Sequence, residues 1–188
     1  MVKPLRIGLL SAAHLHADSY VNGLRRLPRV EFVGFADEDD ARGADFAHKH
    51  SARRYRSYQE LLRDDVDGVV ICAENSRHLP LIEAAAAAKV GILCEKPLTT
   101  TLEDAQRAVQ VCDQAGVILK TAFPMRFNAP TLEVYNLITR GGLGTVYAIN
   151  GTNQGQCPQR HRTWFVDPEL SGGGSVAARD AAATGASD

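Results

Sequence analysis

The sequence predicts an α/β protein in which a doubly wound parallel sheet is followed by an incomplete second α/β domain. Three observations carry this reading. Short apolar runs, at Leu5 to Leu10, Val30 to Ala36, Asp67 to Ala73, Gly91 to Cys94 and Val117 to Ala122, alternate with helical stretches, as parallel strands covered on both faces do. Charged residues close several of these runs, and open α/β folds keep their chemistry at the carboxyl ends of strands. Beyond about residue 122 the alternation stops, leaving one helix, one strand and an irregular, glycine-rich piece.

Taken in order, the first apolar run is followed by the turn Ser11-Ala12-Ala13-His14-Leu15-His16 and then by a helix over Ala17 to Leu27, stopped by Pro28. Strand, tight turn and helix open a dinucleotide-binding (Rossmann) unit, in which the free N–H groups at the helix start face a pyrophosphate. The G-x-G-x-x-G fingerprint would fall on Ser11, Ala13 and His16, none of them glycine. Ser and Ala are small enough for a phosphate to approach, but the turn loses the freedom of glycine at positive φ. The second strand ends in Asp37, 21 positions after His16, where an acid is placed to accept hydrogen bonds from an adenosine ribose. A carboxylate there repels a 2′-phosphate, which favours NAD over NADP. Asp39 or Asp40 caps the helix that runs to about His50.

Ser57 and Glu60 have capping-box spacing and open a short helix through Arg63. After the strand Asp67 to Ala73 comes the loop Glu74-Asn75-Ser76-Arg77, then a helix over His78 to Lys89 whose alanine run lets it lie close on a sheet. The next strand ends in Glu95-Lys96-Pro97, where Pro97 holds the backbone of Lys96 extended. A helix over Thr101 to Ala115, with Thr101 and Asp104 at capping spacing and Gly116 as its stop, leads to the strand Val117 to Ala122. Six strands separated by helices or short crossovers are expected over this span, five of them at the apolar runs named. A turn at Phe123 to Asn128, a helix from about Pro130 to Arg140, a Gly141-Gly142 stop and a strand over Thr145 to Thr152 follow. The irregular remainder holds Trp164-Phe165 and Gly172-Gly173-Gly174.

Composition narrows the partner. At 45% hydrophobic and 23% charged over 188 residues, the chain is globular and long enough for one full core and part of another. A formal net charge of -1 argues against nucleic acid. Cys72, Cys94, Cys112 and Cys157 form no C-x-x-C pair, and reduced thiols account for them. The start of the chain lacks a signal-peptide core, and no apolar run reaches the roughly 20 residues of a membrane span. A cytoplasmic protein with a small-molecule partner is the expectation.

The ordered set of Asp37 at a strand end, the Asn75/His78 loop, Glu95-Lys96-Pro97, Gly142-Leu143-Gly144 before a strand, and Trp164-Phe165 to Gly172-Gly173-Gly174 resembles the Gfo/Idh/MocA family of sugar and cyclitol oxidoreductases. Glu95-Lys96-Pro97 is the most specific member of the set. The resemblance implies a Rossmann domain for NAD or NADP over residues 1–122, and over 123–175 the start of a second domain that covers a sugar- or polyol-like substrate and usually supplies the oligomer contact. It places Ser11, Ala13 and His14 on the pyrophosphate loop, Asp37 on the adenosine ribose, and Asn75 and His78 near the nicotinamide half. Glu95 then orients the nicotinamide side, and Lys96 is the catalytic residue at the substrate hydroxyl, with a Lys-Pro bond that is often cis in the family. A lysine desolvated beside a cofactor has a lowered pKa and exchanges a proton with an alcohol as hydride leaves. No metal is implied.

The likeness ends after Ser175 or Val176. The family continues with an Asp, a His that shares the proton work, and most of a sheet; residues 176–188 form instead an alanine-rich tail with no histidine. The expectation is a chain shortened by a frameshift or premature stop, which argues against an oligomer and makes a catalytically inactive nucleotide-binding remnant the alternative to an active oxidoreductase. Arg126 and Arg162 read equally as substrate contacts or surface residues. A distant alternative is a metal-dependent amidohydrolase through His14 and His16, since an H-x-H pair after a first strand also opens that barrel fold. His48 and His50 lie in a helical stretch and read as a solvated face.

Overall fold

The computed structural model describes residues 3–152 and 162–173. Its centre is a six-stranded parallel sheet in the order β3-β2-β1-β4-β5-β6. The strands are β1 (Leu5–Leu10), β2 (Val30–Ala36), β3 (Arg54–Tyr55), β4 (Gly68–Ile71), β5 (Gly91–Cys94) and β6 (Leu119–Thr121). The helices are α1 (Ala17–Leu24), α2 (Asp40–His50), α3 (Tyr58–Leu62), α4 (His78–Ala87), α5 (Leu102–Ala115), α6 (Ala129–Thr139) and the single turn α7 (Pro168–Ser171). A 3₁₀ turn over Asn75–Arg77 leads into α4.

Alternation along β1 explains the layering. Leu9 points to one face, where it packs with Phe35, Val70, Cys72 and, from α1 and α2, Ala17, Val21 and Phe46. Leu10 points to the other, among Ile71, Cys94 and residues of α3, α4 and α5, including Leu61, Ile82, Ala85, Ala108 and Cys112. Successive strand residues face opposite ways, so two buried faces require the near-continuous apolar runs seen in the sequence. The caps follow their chemistry: the side chains of Asp39, Ser57 and Thr101 accept from the backbone N–H groups of Arg42, Glu60 and Asp104. Gly116 closes α5 in the left-handed region at φ 68.

The order of strands reverses between β1 and β4, and the crevice at their carboxyl ends is the switch point of a doubly wound sheet. The loops after β1, β4 and β5 meet there, joined by the His14 N–H bonded to the Cys72 carbonyl at 2.8 Å.

Two expectations need correction. The strand expected over Thr145 to Thr152 does not form: the segment is irregular, with Tyr147 92% and Ile149 79% exposed. A strand needs a partner for its N–H and C=O groups, and among the described residues this segment has none. The amidohydrolase alternative fails on topology, because the sheet is open, with edges at β3 and β6, whereas that fold closes eight strands into a barrel. Gly174 and the tail over 176–188 lie outside the described residues, as does Cys157.

Candidate active site

The loop after β1 is held mainly by hydrogen bonds to the end of β2, to Asp37 and to the Cys72 carbonyl after β4. Ser11 adopts φ 65, the left-handed conformation that glycine would have supplied, and its N–H bonds to the Ala36 carbonyl at 2.8 Å. Its hydroxyl accepts from the Ala13 N–H at 3.2 Å and donates to Asp37 at 3.4 Å. The Ala12 N–H donates to Asp37 Oδ2 at 2.7 Å. Serine thus supports the strained turn with its side chain, where glycine would have relied on freedom alone.

Asp37, 4% exposed, sits at the centre of this arrangement. Besides Ala12 it accepts from the Asp39 N–H at 2.8 Å, and it takes the Arg42 guanidinium as a fork, Nε to Oδ2 at 2.9 Å and Nη2 to Oδ1 at 2.8 Å. Arg42 Nη1 reaches Glu74 at 3.4 Å. Both carboxylate oxygens are therefore occupied by strong, charge-assisted partners. Arg42 was not singled out from sequence, although an arginine in the first turn of the helix that follows the acid was the available signal.

At the end of β5, Glu95 is fully buried and its carboxylate turns toward α1. Oε1 receives Tyr20 Oη at 2.7 Å and lies 2.9 Å from His16 Nδ1, while Oε2 receives the Lys96 N–H at 3.1 Å. Tyr20 lies one helical turn beyond His16, and this i, i+4 spacing puts the two on one face. The Lys96-Pro97 bond is cis. Burial pushes the Glu95 carboxyl up, but the His16 hydrogen bond, the nearby His14 and His16 rings and the Tyr20 hydroxyl outweigh it and hold the group at about 2. Burial also lowers His14 to about 3, so its ring is neutral at ordinary pH.

His78 is buried behind the loop that carries Pro97. Its Nδ1 lies 2.9 Å from the Pro97 carbonyl and its Nε2 3.3 Å from the Ala73 carbonyl. Burial lowers its pKa, and a neutral ring donates once, so the shorter Pro97 contact is the hydrogen bond. His78 thereby ties α4 to the segment after β5.

Residues 162–173 lie across this crevice as a strap. Arg162 Nε and Trp164 Nε1 both donate to the Ala13 carbonyl, at 2.8 and 3.1 Å. Trp164 and Phe165 pack against His14, with ring centroids 6.0 and 5.4 Å away. Asn75 donates through Nδ2 to the Ser171 carbonyl at 2.8 Å, and its Oδ1 is a buried acceptor without a partner among the described residues. Ser11, Ala13, His14, Asn75 and Glu95 are thus gathered around one crevice with Lys96, while His78 stands behind it and Asp37 beside the loop, on the β2 side.

A parallel doubly wound sheet in the order β3-β2-β1-β4-β5-β6, with charged and polar side chains converging on the switch point, is the architecture of dinucleotide-binding domains. The profile of the oxidoreductase family with an NAD-binding Rossmann fold matches residues 6–123, and the chain belongs to that family, Gfo/Idh/MocA. It is 32% identical to 1,5-anhydro-D-fructose reductase of Ensifer adhaerens over 173 residues, which is 91% of this chain and 52% of that one. It is 30% identical to D-xylose 1-dehydrogenase (NADP(+)) 2 of Haloferax volcanii over 171 residues, 90% of this chain and 52% of that one. Among solved structures, the WlbA dehydrogenase of Bordetella pertussis in complex with NADH and UDP-GlcNAcA superposes with a TM-score of 0.71 at 26% identity, covering 77% of this chain and 42% of that one. The chain spans about half the length of the curated relatives it matches.

Proposed function

We propose that the protein binds NAD in the crevice between β1 and β4 and takes part in hydride transfer to or from a sugar- or polyol-like alcohol. The observation that carries this reading is the position of Lys96, directly after the buried Glu95 at the carboxyl end of β5, beside the switch point. The unpartnered Asn75 Oδ1 and the small side chains of Ser11, Ala12 and Ala13 fit a dinucleotide: a buried acceptor without a donor and a loop without bulk. When bound, the nicotinamide supplies the hydride chemistry.

In this reading Ser11, Ala13 and His14 line the pyrophosphate path, and Asn75 accepts from the nicotinamide half. Glu95 fixes the backbone of Lys96 through its bond to the Lys96 N–H, and Lys96 passes a proton to or from the substrate hydroxyl. His78 positions the segment after β5 rather than touching the cofactor. Asp37 marks the adenosine end: its charge repels a 2′-phosphate, and Arg42, the cation best placed to receive one, is already committed to Asp37 and Glu74. That favours NAD over NADP. Residues 1–122 form the dinucleotide-binding unit, 123–175 begin the substrate domain, and 176–188 diverge.

A second reading, cofactor binding without turnover, is favoured by the exposed apolar side chains of Leu132, Val134, Tyr135, Tyr147 and Ile149, which no sheet among the described residues covers. One experiment separates the two. Titration with NADH and NADPH, followed by fluorescence, is run beside an assay of NAD reduction on a panel of polyols and inositols. Saturable NADH binding, tighter than NADPH, with turnover supports the first reading, and binding alone the second. Absence of NADH binding sinks both.

A further inference from the structure

His14, His16 and Glu95 each offer one donor atom, and the three atoms lie within 4.8 Å of one another; among the described residues no other cluster of histidine, cysteine and carboxylate side chains does this. Nothing in the nucleotide-binding reading requires two imidazoles here. We propose that this cluster is a binding site for one divalent transition-metal cation, zinc or cobalt in the first instance, ligated by His14, His16 and Glu95.

The donor set selects the class of ion. Two imidazoles with one carboxylate suit zinc, cobalt and their neighbours and disfavour magnesium and calcium, which take oxygen. Three protein ligands also leave a coordination position for water or a substrate oxygen. Bonds of about 2.0–2.2 Å set neighbouring donors of a tetrahedral ion about 3.3–3.6 Å apart, so the cluster has to close by only about 1 Å. His16 Nδ1 and Glu95 Oε1, hydrogen-bonded at 2.9 Å, have to part by only about 0.5 Å to admit the ion between them. In the ion-free state a hydrogen bridges them. With neutral His16, that hydrogen moves to Nε2 and the cation takes its place, leaving the proton count of the ring unchanged. With Nδ1 as its donor, His14 would give up the long 3.2 Å bond that this atom accepts from the His16 N–H.

An outer shell is in place as well. Tyr20 Oη at 2.7 Å and the Lys96 N–H at 3.1 Å hold the carboxylate, and oriented carboxylates of this kind tune metal sites. Glu95 and His14 are buried, whereas the His16 side chain is 35% exposed and provides the entry path. The site lies in an open Rossmann-type sheet, so it implies no hydrolase.

The dialysed full chain is titrated with zinc chloride by calorimetry and with cobalt chloride by visible absorption. Expected are one equivalent bound and cobalt d–d bands, with affinity lowered at least about 30-fold in His16→Ala and in Glu95→Gln and about 10-fold in Tyr20→Phe. His48→Ala, which breaks the other H-x-H pair, should change nothing. Circular dichroism checks folding; should Glu95→Gln fail to fold, the half-exposed His16 decides. No saturable binding, binding retained in His16→Ala, or binding lost in His48→Ala overturns the site and shows a hydrogen-bonded cluster only. Each outcome is read without NADH, so it stands apart from the cofactor reading.

Discussion

His14 and Glu95 couple the site to pH, and both act in the same direction. The folded His14 ring stays neutral down to about pH 3, whereas its ordinary value is 6.5, so the unfolded chain binds a proton first. Acid therefore favours unfolding across that window. Glu95 is held at about 2 against an ordinary 4.5; its stabilisation is complete above 4.5 and is lost as the pH falls toward 2. Each unmatched proton contributes a slope of up to about 1.4 kcal/mol per pH unit. Urea unfolding at pH 7, 6, 5 and 4 should show stability falling from about pH 6.5 downward, and His14→Phe should reduce the slope above pH 4.5, leaving the share of His78, which burial also holds down. A wild-type profile flat between pH 7 and 5 would contradict the neutral, buried ring. Arg42 carries a second residue-scale prediction. Arg42→Ala leaves the buried Asp37 with backbone donors but no cation, at a cost of about 2–3 kcal/mol. Arg42→Lys, which cannot form the fork, should recover only part of that in the same urea measurement.

At the scale of elements, the strap over residues 162–173 is the part most open to test. It rests on Ala13 through Arg162 and Trp164, on Asn75 through Ser171, and on Thr100 through Gly172, where an added Cβ would lie 2.3 Å from Thr100 Cγ2 at a φ of +69. Gly172→Val should therefore lift the strap. Trp164, the single tryptophan and only 6% exposed, reports this directly: its emission should shift to the red while the far-ultraviolet circular dichroism stays unchanged. An unshifted emission would show that Gly172 is not a contact on which the strap depends. The strap also marks where sequence reading stops. Apolar runs and capping residues made β1, β2, β4, β5, β6 and the caps at Asp39, Ser57 and Thr101 legible, because those signals are local. The edge strand β3 has two residues and no apolar run, so nothing marked it. The approach of His16 and Tyr20 to Glu95 spans 79 and 75 positions, and that of Trp164 to Ala13 spans 151; only the folded sheet brings such partners together. At Thr145 to Thr152 local pattern misled, since a strand depends on a neighbour that no local pattern contains.

For the whole molecule, burial divides the chain sharply. Both core clusters are built from residues up to Cys112, with Val117 and Leu119 packed at their margin, and beyond Ala122 the only buried hydrophobic residue among those described is Trp164. The exposed large hydrophobics concentrate instead between Met125 and Ile149. A core complete in itself folds alone, and contiguous exposed apolar surface promotes association. Residues 1–122 expressed separately should then unfold in one cooperative urea transition, and should remain monomeric in sedimentation at concentrations where the full chain self-associates. The two measurements fail independently. A fragment without a cooperative transition would show that the strap contributes to the core through Trp164, and a monomeric full chain would show that the apolar side chains of α6 and the segment after it are covered from within the chain.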